Sequence, residues 1–278
     1  MNIPLSDGSG ELIRYANFGS QHVIPRHVDV WCPPGYAAAP ATRYPVIYLH
    51  DGQNLFDPAL ANTGIDWGVD EAIVRIVRRT GLPGAIVVGS WCTELRRREY
   101  MPHRPLGEPA GAALLADFVH TQGGAPLADQ YLRFIVGELK PFVDAHFRTQ
   151  PDQPNTTIMG SSMGGLISLY ALTEYPDVFG GAGCLSTHWP IGGNLLVDAL
   201  GAAIPRAGRH RLYFDYGTAG LDSAYEPFQQ RMDGLVSAAG YRAGVDWRTL
   251  KFDGAEHNEA AWRARVEQPL GFLLGALH

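Results

Sequence analysis

Lysine is almost absent from this chain. Of its 22 basic residues only Lys140 and Lys251 are lysines, against 28 acidic residues, giving a formal net charge of -6 and an isoelectric point near 5.9. Such a balance lacks the basic patches that hold nucleic acid, so no nucleic-acid partner is expected. Cysteine is nearly as scarce. Cys32, Cys92 and Cys184 are odd in number, scattered and without a CxxC pair, which excludes a disulfide framework and suits reduced thiols. No apolar run approaches membrane-spanning length, so no membrane partner is expected either. The opening MNIPLSDGSGELIRY has early acids and no apolar h-region, and a cytoplasmic location is the expectation. Repeats, low-complexity tracts and dividing linkers are missing, so residues 1–278 read as one domain. There is no HExxH and no GxxxxGK[ST] loop, and GAGCLS (181–186) lacks the third glycine of a dinucleotide fingerprint. Neither metal nor cofactor is expected.

What the chain does have is 46% hydrophobic residues at a mean hydropathy of -0.09, enough for a sizeable buried core. Apolar bursts alternate with helical periodicity. PVIYLH (45–50), AIVVGS (85–90), TTIMG (156–160) and RLYFDYG (211–217) read as short buried strands, and WRTLKF (247–252), which alternates more, as one nearer an edge. Leu132, Ile135, Val136, Leu139, Phe142 and Val143 recur at three- and four-residue steps and predict a helix. Further helices are predicted over 164–172, 227–239 and 258–274. Strands alternating with helices imply an α/β fold, a mostly parallel sheet covered on both faces. Segments 91–128 and 186–208, rich in proline and glycine, read as excursions from it. In such folds the chemistry sits on loops at the carboxyl ends of strands.

One such loop is GSSMG, the turn between the strand TTIM and the helix GLISLYAL. Gly160-x-Ser162-x-Gly164 has the spacing of a nucleophile elbow, in which glycines let strand and helix approach and the central side chain is pushed outward. Ser161 lacks that spacing. A serine hydroxyl needs a histidine to take its proton and a carboxylate to orient the histidine, in the chain order Ser, acid, His. His257 follows the strand 247–252 and precedes the last helix, as that order requires. His210 precedes a strand, His188 comes too early, and His278 is terminal. The acid falls between Asp222 and Glu226, beyond the strand 211–217, because Asp215 lies inside it. A helix starting at Pro227 leaves Asp222 in the loop and favours it. Donors for a developing oxyanion are expected from the N–H of Met163 and, where Gly52 turns the chain sharply, the N–H of Gln53. His50 and Asp51 make a poor metal pair without further ligands. Trp67 and Trp189, with Phe56, Trp91 and Tyr100, are candidates for a substrate pocket. Arg96, Arg97 and Arg98 could meet an acidic substrate or simply be solvated.

YLHDGQNLFD, GSSMGG and GAEHNEAAW, in that order, resemble the putative-esterase family of α/β-hydrolases, which includes esterase D and the enterochelin, feruloyl and acetylxylan esterases and the mycolyltransferases. WGVDEA (67–72), RRREYMPHRP (96–105) and YLRFIVGELKPFVD (131–144) extend the likeness from about residue 25 to the end. The resemblance implies an α/β-hydrolase fold and cleavage of a small-molecule or carbohydrate ester without a cofactor. It also implies Ser162 as nucleophile, His257 as base, Asp222 as acid and the N–H groups of Gln53 and Met163 as oxyanion donors. An acyltransferase, or a binding protein on the same scaffold, is the alternative.

Overall fold

Branched and aromatic residues in short runs place the middle of the sheet. The structure, a computed structural model, describes residues 1–5 and 9–276. Among these, nine strands form one sheet: β1 (Asn2–Ile3), β2 (Glu11–Phe18), β3 (Arg26–Cys32), β4 (Val46–His50), β5 (Ile86–Ser90), β6 (Thr156–Ser161), β7 (Gly181–Leu185), β8 (Arg211–Gly217) and β9 (Trp247–Phe252). Their spatial order is β1-β2-β3-β5-β4-β6-β7-β8-β9. Everything from β5 to β9 is parallel, while β1, β2 and β3 join antiparallel at one edge. This is the α/β-hydrolase fold. The predicted strands stand, and β9 is indeed an edge. Neither the antiparallel β1 to β3 nor the parallel β7 is among the predicted ranges.

Period-two alternation divides the core between the faces. In β4, Val46 and Tyr48 pack into one apolar cluster, while Ile47 and Leu49 pack into the other. Burying each such side chain stabilises by roughly 1.5–3 kcal/mol, and both faces of the strand contribute. The helix at 131–144 is longer than predicted. Ala128–Phe134 and Lys140–His146 are joined by a wide π turn, Ile135–Leu139. Pro141, which lacks an N–H and crowds the carbonyl four residues back, lies two residues past the end of that turn, one beyond the Lys140 that begins the next helix. The last helix divides at Val266 into Glu259–Arg265 and Glu267–Leu273. Both excursions are present, carrying helices Ala112–Gln122 and Gly193–Ala203 over the sheet. No helix among the described residues is long and apolar enough to cross a membrane.

Candidate active site

Six loops leave the carboxyl ends of the parallel strands β4 to β9 at the same end of the sheet, and they carry most of the singled-out residues. After β6 the chain reverses into the helix Met163–Glu174 through Ser162, whose φ of 58° and ψ of -122° are strained for a residue with a side chain. Gly160 makes the reversal possible. A Cβ there would lie 2.9 Å from the carbonyl carbon and oxygen of Gly164. At Gly164 the same test meets only ordinary contacts of 3.5 Å with His50 and Asp51, so the two glycines of the motif are not equivalent. Ser161 points into the protein and is 3% exposed, whereas Ser162 is half-buried.

The loop after β9 carries His257, and Asn258 ends it. The Asn258 side chain accepts from the Ala261 N–H at 2.9 Å and caps the following helix. The loop after β8 carries Asp222 in a short turn, Gly220–Ala224, before the helix that begins at Glu226. His257 Nδ1 lies 2.6 Å from Asp222 Oδ1. The other carboxylate oxygen, Oδ2, accepts from the Gly217 N–H at 2.7 Å and from Ser186 Oγ at 2.5 Å. Burial alone would raise the Asp222 carboxyl, but these hydrogen bonds outweigh it and hold it below the usual carboxylate range. Glu226 lies elsewhere, exposed and paired with Lys251 at 2.9 Å. Among the described residues no hydrogen bond joins Ser162 Oγ to the imidazole. His188 neighbours both residues: its backbone N–H donates to the Ser162 carbonyl at 3.1 Å, and its ring centre is 6.3 Å from that of His257. The contact between nucleophile and base is often loose in a free enzyme.

The turn after β4 differs in detail from its expectation. Asp51, not Gly52, takes the left-handed conformation (φ 56°, ψ 47°). Gly52 is needed for close approach, because a Cβ there would sit 2.6 Å from the Gly89 carbonyl carbon on β5. Arg96 clamps the Asp51 carboxylate through Nε and Nη2 at 2.7 and 2.8 Å. Burial would raise the Asp51 carboxyl, yet Arg96 brings it below its ordinary value. The Gln53 side chain is tied to Cys92, accepting its N–H at 3.2 Å. No acceptor among the described residues pairs with the backbone N–H of Gln53 or of Met163. The latter opens a helix, where N–H groups have no partner within the helix.

His50 and Asp51 are both engaged within the protein. His50 Nδ1 bonds the Tyr131 hydroxyl at 2.8 Å, and burial pushes its pKa down to about 3. The carboxylates close enough to share a cation are Asp66, Asp70 and Glu71, with oxygens within 4.8 Å of one another. Arg263 already binds Asp66 and Glu71, at 2.7 and 3.0 Å, and Ser9 donates to Asp70.

The aromatic candidates fall in a different place. Trp67 and Trp189 are each 1% exposed, and Phe56 and Tyr100 are buried too. Trp67 packs against Trp262 with its indole N–H buried and unpartnered, whereas the Trp189 indole donates to Gln229 Oε1 at 3.1 Å, so packing accounts for the first and a satisfied N–H for the second. Trp91 alone of the set is half-buried. The rings that do surround the imidazole are Trp262, edge-on at 5.0 Å, Tyr225 at 5.6 Å and His188. The Tyr225 hydroxyl lies 2.6 Å from His188 Nδ1, and burial lowers the His188 pKa to about 4. Of these three rings the sequence singles out only His188, which comes too early in the chain to be the base. Of the three arginines, Arg96 serves Asp51, Arg98 donates to the Ala125 carbonyl at 2.9 Å, and Arg97 is exposed.

This geometry has close relatives. The chain is 32% identical over 161 residues to the ferri-bacillibactin esterase BesA of Bacillus subtilis (strain 168), a match covering 54% of this chain and 50% of BesA. The matched stretch is thus about half the length of that relative. Among solved structures, a ferulic acid esterase superposes with a TM-score of 0.67 at 16% identity, covering 97% of this chain and 99% of the other. The enterobactin esterase FES of Shigella flexneri also superposes at 0.67, with 18% identity over 98% of this chain and 60% of FES. The Esterase family model, described as "Putative esterase", matches residues 24–273, and this chain belongs to that family.

Proposed function

We propose that the protein is a serine hydrolase of carboxylic esters, acting through an acyl-enzyme on Ser162. The observation that carries this reading is the 2.6 Å contact of His257 with buried Asp222, at the sheet end where Ser162 is held in a strained elbow. Asp222 takes Nδ1 of the imidazole and leaves Nε2 to act as base. Ser162 Oγ attacks the ester carbonyl carbon while its proton passes to Nε2. The carbonyl electron pair moves to oxygen, where the N–H groups of Gln53 and Met163 stabilise it. Collapse breaks the bond to the alcohol, which leaves with the proton from Nε2. Water then repeats the sequence on the acyl-enzyme, giving the acid and restoring Ser162. The substrate is a small-molecule or carbohydrate ester. Ferulic acid esters, ferri-bacillibactin and enterobactin, the compounds in the names of its relatives, are the first to test.

The experiment pairs turnover with labelling. The wild type should hydrolyse p-nitrophenyl acetate and take up one diisopropyl phosphoryl group at Ser162, found by peptide mass. Ser162→Ala should lose both, at about a 10⁶-fold cost in kcat. Near-wild-type turnover in Ser162→Ala would sink the reading. Accumulation of the acyl-enzyme, with turnover only after an alcohol is added, would convert it to acyl transfer.

A further inference from the structure

Behind Asp222 lies a second carboxylate, Asp215, and the two share one buried guanidinium. Asp215, Asp222, Ser186 and Arg265 are all at most 3% exposed. Arg265 Nη2 lies 3.0 Å from Asp215 Oδ1, 2.7 Å from Ser186 Oγ and 4.0 Å from Asp222 Oδ2. Ser186 Oγ, which accepts from Arg265 and from the Trp262 indole at 3.2 Å, spends its own proton on Asp222 Oδ2. To do so Ser186 holds a left-handed backbone, φ 40°. The remaining Arg265 donors, Nε and Nη1, are buried without partners, and the guanidinium lies over the Phe252 ring at 5.0 Å. A buried cation with unmet donors is a costly way to stabilise a fold. Two buried carboxylates with no cation between them would share a proton, as closely coupled acids do.

We infer that Arg265 is a positioning residue for the hydrolysis: through Ser186 it keeps Asp222 ionised and turned toward His257, and Asp215 holds Arg265 in place. The inference rests on the proposed function above. With Asp215, Asp222 and Arg265 the cluster carries one net negative charge, which the imidazolium formed during catalysis neutralises. The other titratable groups facing it are Tyr213 beside Asp215, Cys184 on β7, Arg248 on β9, and Tyr225 and His188 around the imidazole. Burial raises Tyr213, Cys184 and Tyr225 and lowers His188 to about 4. Tyr213, Cys184, Tyr225 and His188 therefore keep their charge between pH 5 and pH 8, so a shift of the activity profile there reports the carboxylate pair and the imidazole.

The test is the pH profile of kcat/KM on p-nitrophenyl acetate. In Arg265→Gln, Asp222 is protonated more readily and an imidazolium is favoured, so the acidic limb should move up by about one pH unit. Away from that limb kcat should fall about 100-fold with KM nearly unchanged. Adding Asp215→Asn removes the competing carboxylate and should return the limb toward its wild-type position, a rescue that mere loss of packing would not give. An unmoved limb in Arg265→Gln overturns the inference, and so does a limb that Asp215→Asn fails to return. Should Arg265→Gln not fold, Ser186→Ala replaces it. Removing the hydroxyl bridge should cost about tenfold in kcat and raise the limb, and an unchanged profile would overturn the inference. Phosphoryl labelling of Ser162 in the wild type separates the two levels: labelling with an unmoved limb sinks only the role of Arg265, while no labelling sinks the hydrolase reading as well.

Discussion

Asp222 and Glu226 stand four positions apart, and sequence alone leaves both as partners for His257. Their environments separate them. Asp222 has both oxygens occupied, one by the imidazole and one by Ser186 and the Gly217 N–H, whereas Glu226 faces solvent beside Lys251. An acid that orients a histidine must be ionised and fixed. Asp222→Asn keeps the size but presents the ring with the wrong partner, and kcat should drop by about 10⁴-fold. Glu226→Gln only breaks a solvent-screened ion pair with Lys251, so kcat should stay within about twofold. Steady-state kinetics of the two variants decide it, and a large loss in Glu226→Gln alone would move the acid. Ser161→Ala supplies the matching control at the nucleophile. Ser161 is buried in β6, so its removal should alter stability more than turnover.

In the elbow, spacing alone does not say which glycine the fold requires. Gly160-x-Ser162-x-Gly164 treats its glycines alike, yet only at Gly160 would a methyl strike backbone, 2.9 Å from Gly164 on both carbon and oxygen. Gly160→Ala should force β6 and its helix apart at a cost of about 1–3 kcal/mol and lower kcat with it. Gly164→Ala meets side-chain atoms at 3.5 Å within a helix, where alanine is the better former, and should leave stability within about 0.5 kcal/mol. Urea unfolding of both variants tests this, and equal losses would refute the asymmetry. Legibility elsewhere follows similar lines. The strands β4, β5, β6 and β8 were visible because strands covered on both faces are continuous apolar runs. Glu11–Phe18 in β2 is half-exposed and carries Glu11, Arg14 and Asn17, so it has no such run. The order Ser162, Asp222, His257 could be argued from loops following strands. Trp67 and Trp189 could not be placed, because a large aromatic reads the same whether it lines a cleft or fills a core. Arg265 left no trace in the sequence, since its link to Asp215 spans fifty positions and exists only where the end of the helix Glu259–Arg265 meets β8.

Across the molecule as a whole, buried titrating groups with opposite leanings set the response to acid. His50 is buried neutral, and burial has pushed its folded pKa down to about 3. The unfolded chain, with a histidine near 6.5, takes up a proton there that the fold refuses, so stability falls as pH drops from about 6 to 4. Asp215 works the other way. Burial raises it to about 6 against an ordinary 3.8, so the fold takes up a proton that the unfolded chain does not, and Asp215 adds stability below pH 6. Asp51 and Asp222, both held below their ordinary range, add losses only below about pH 4. One proton difference changes the unfolding free energy by about 1.4 kcal/mol per pH unit. His50→Gln should therefore lower stability at pH 7 but flatten its decline between pH 6 and 4 by up to about that slope. Asp215→Asn should steepen the decline by a similar amount, because the compensating proton is gone. Urea titrations of the wild type and both variants at pH 6, 5 and 4 would give the three slopes. Parallel lines would mean that neither group titrates across the window assigned to it, and the acid sensitivity would then lie in the exposed carboxylates.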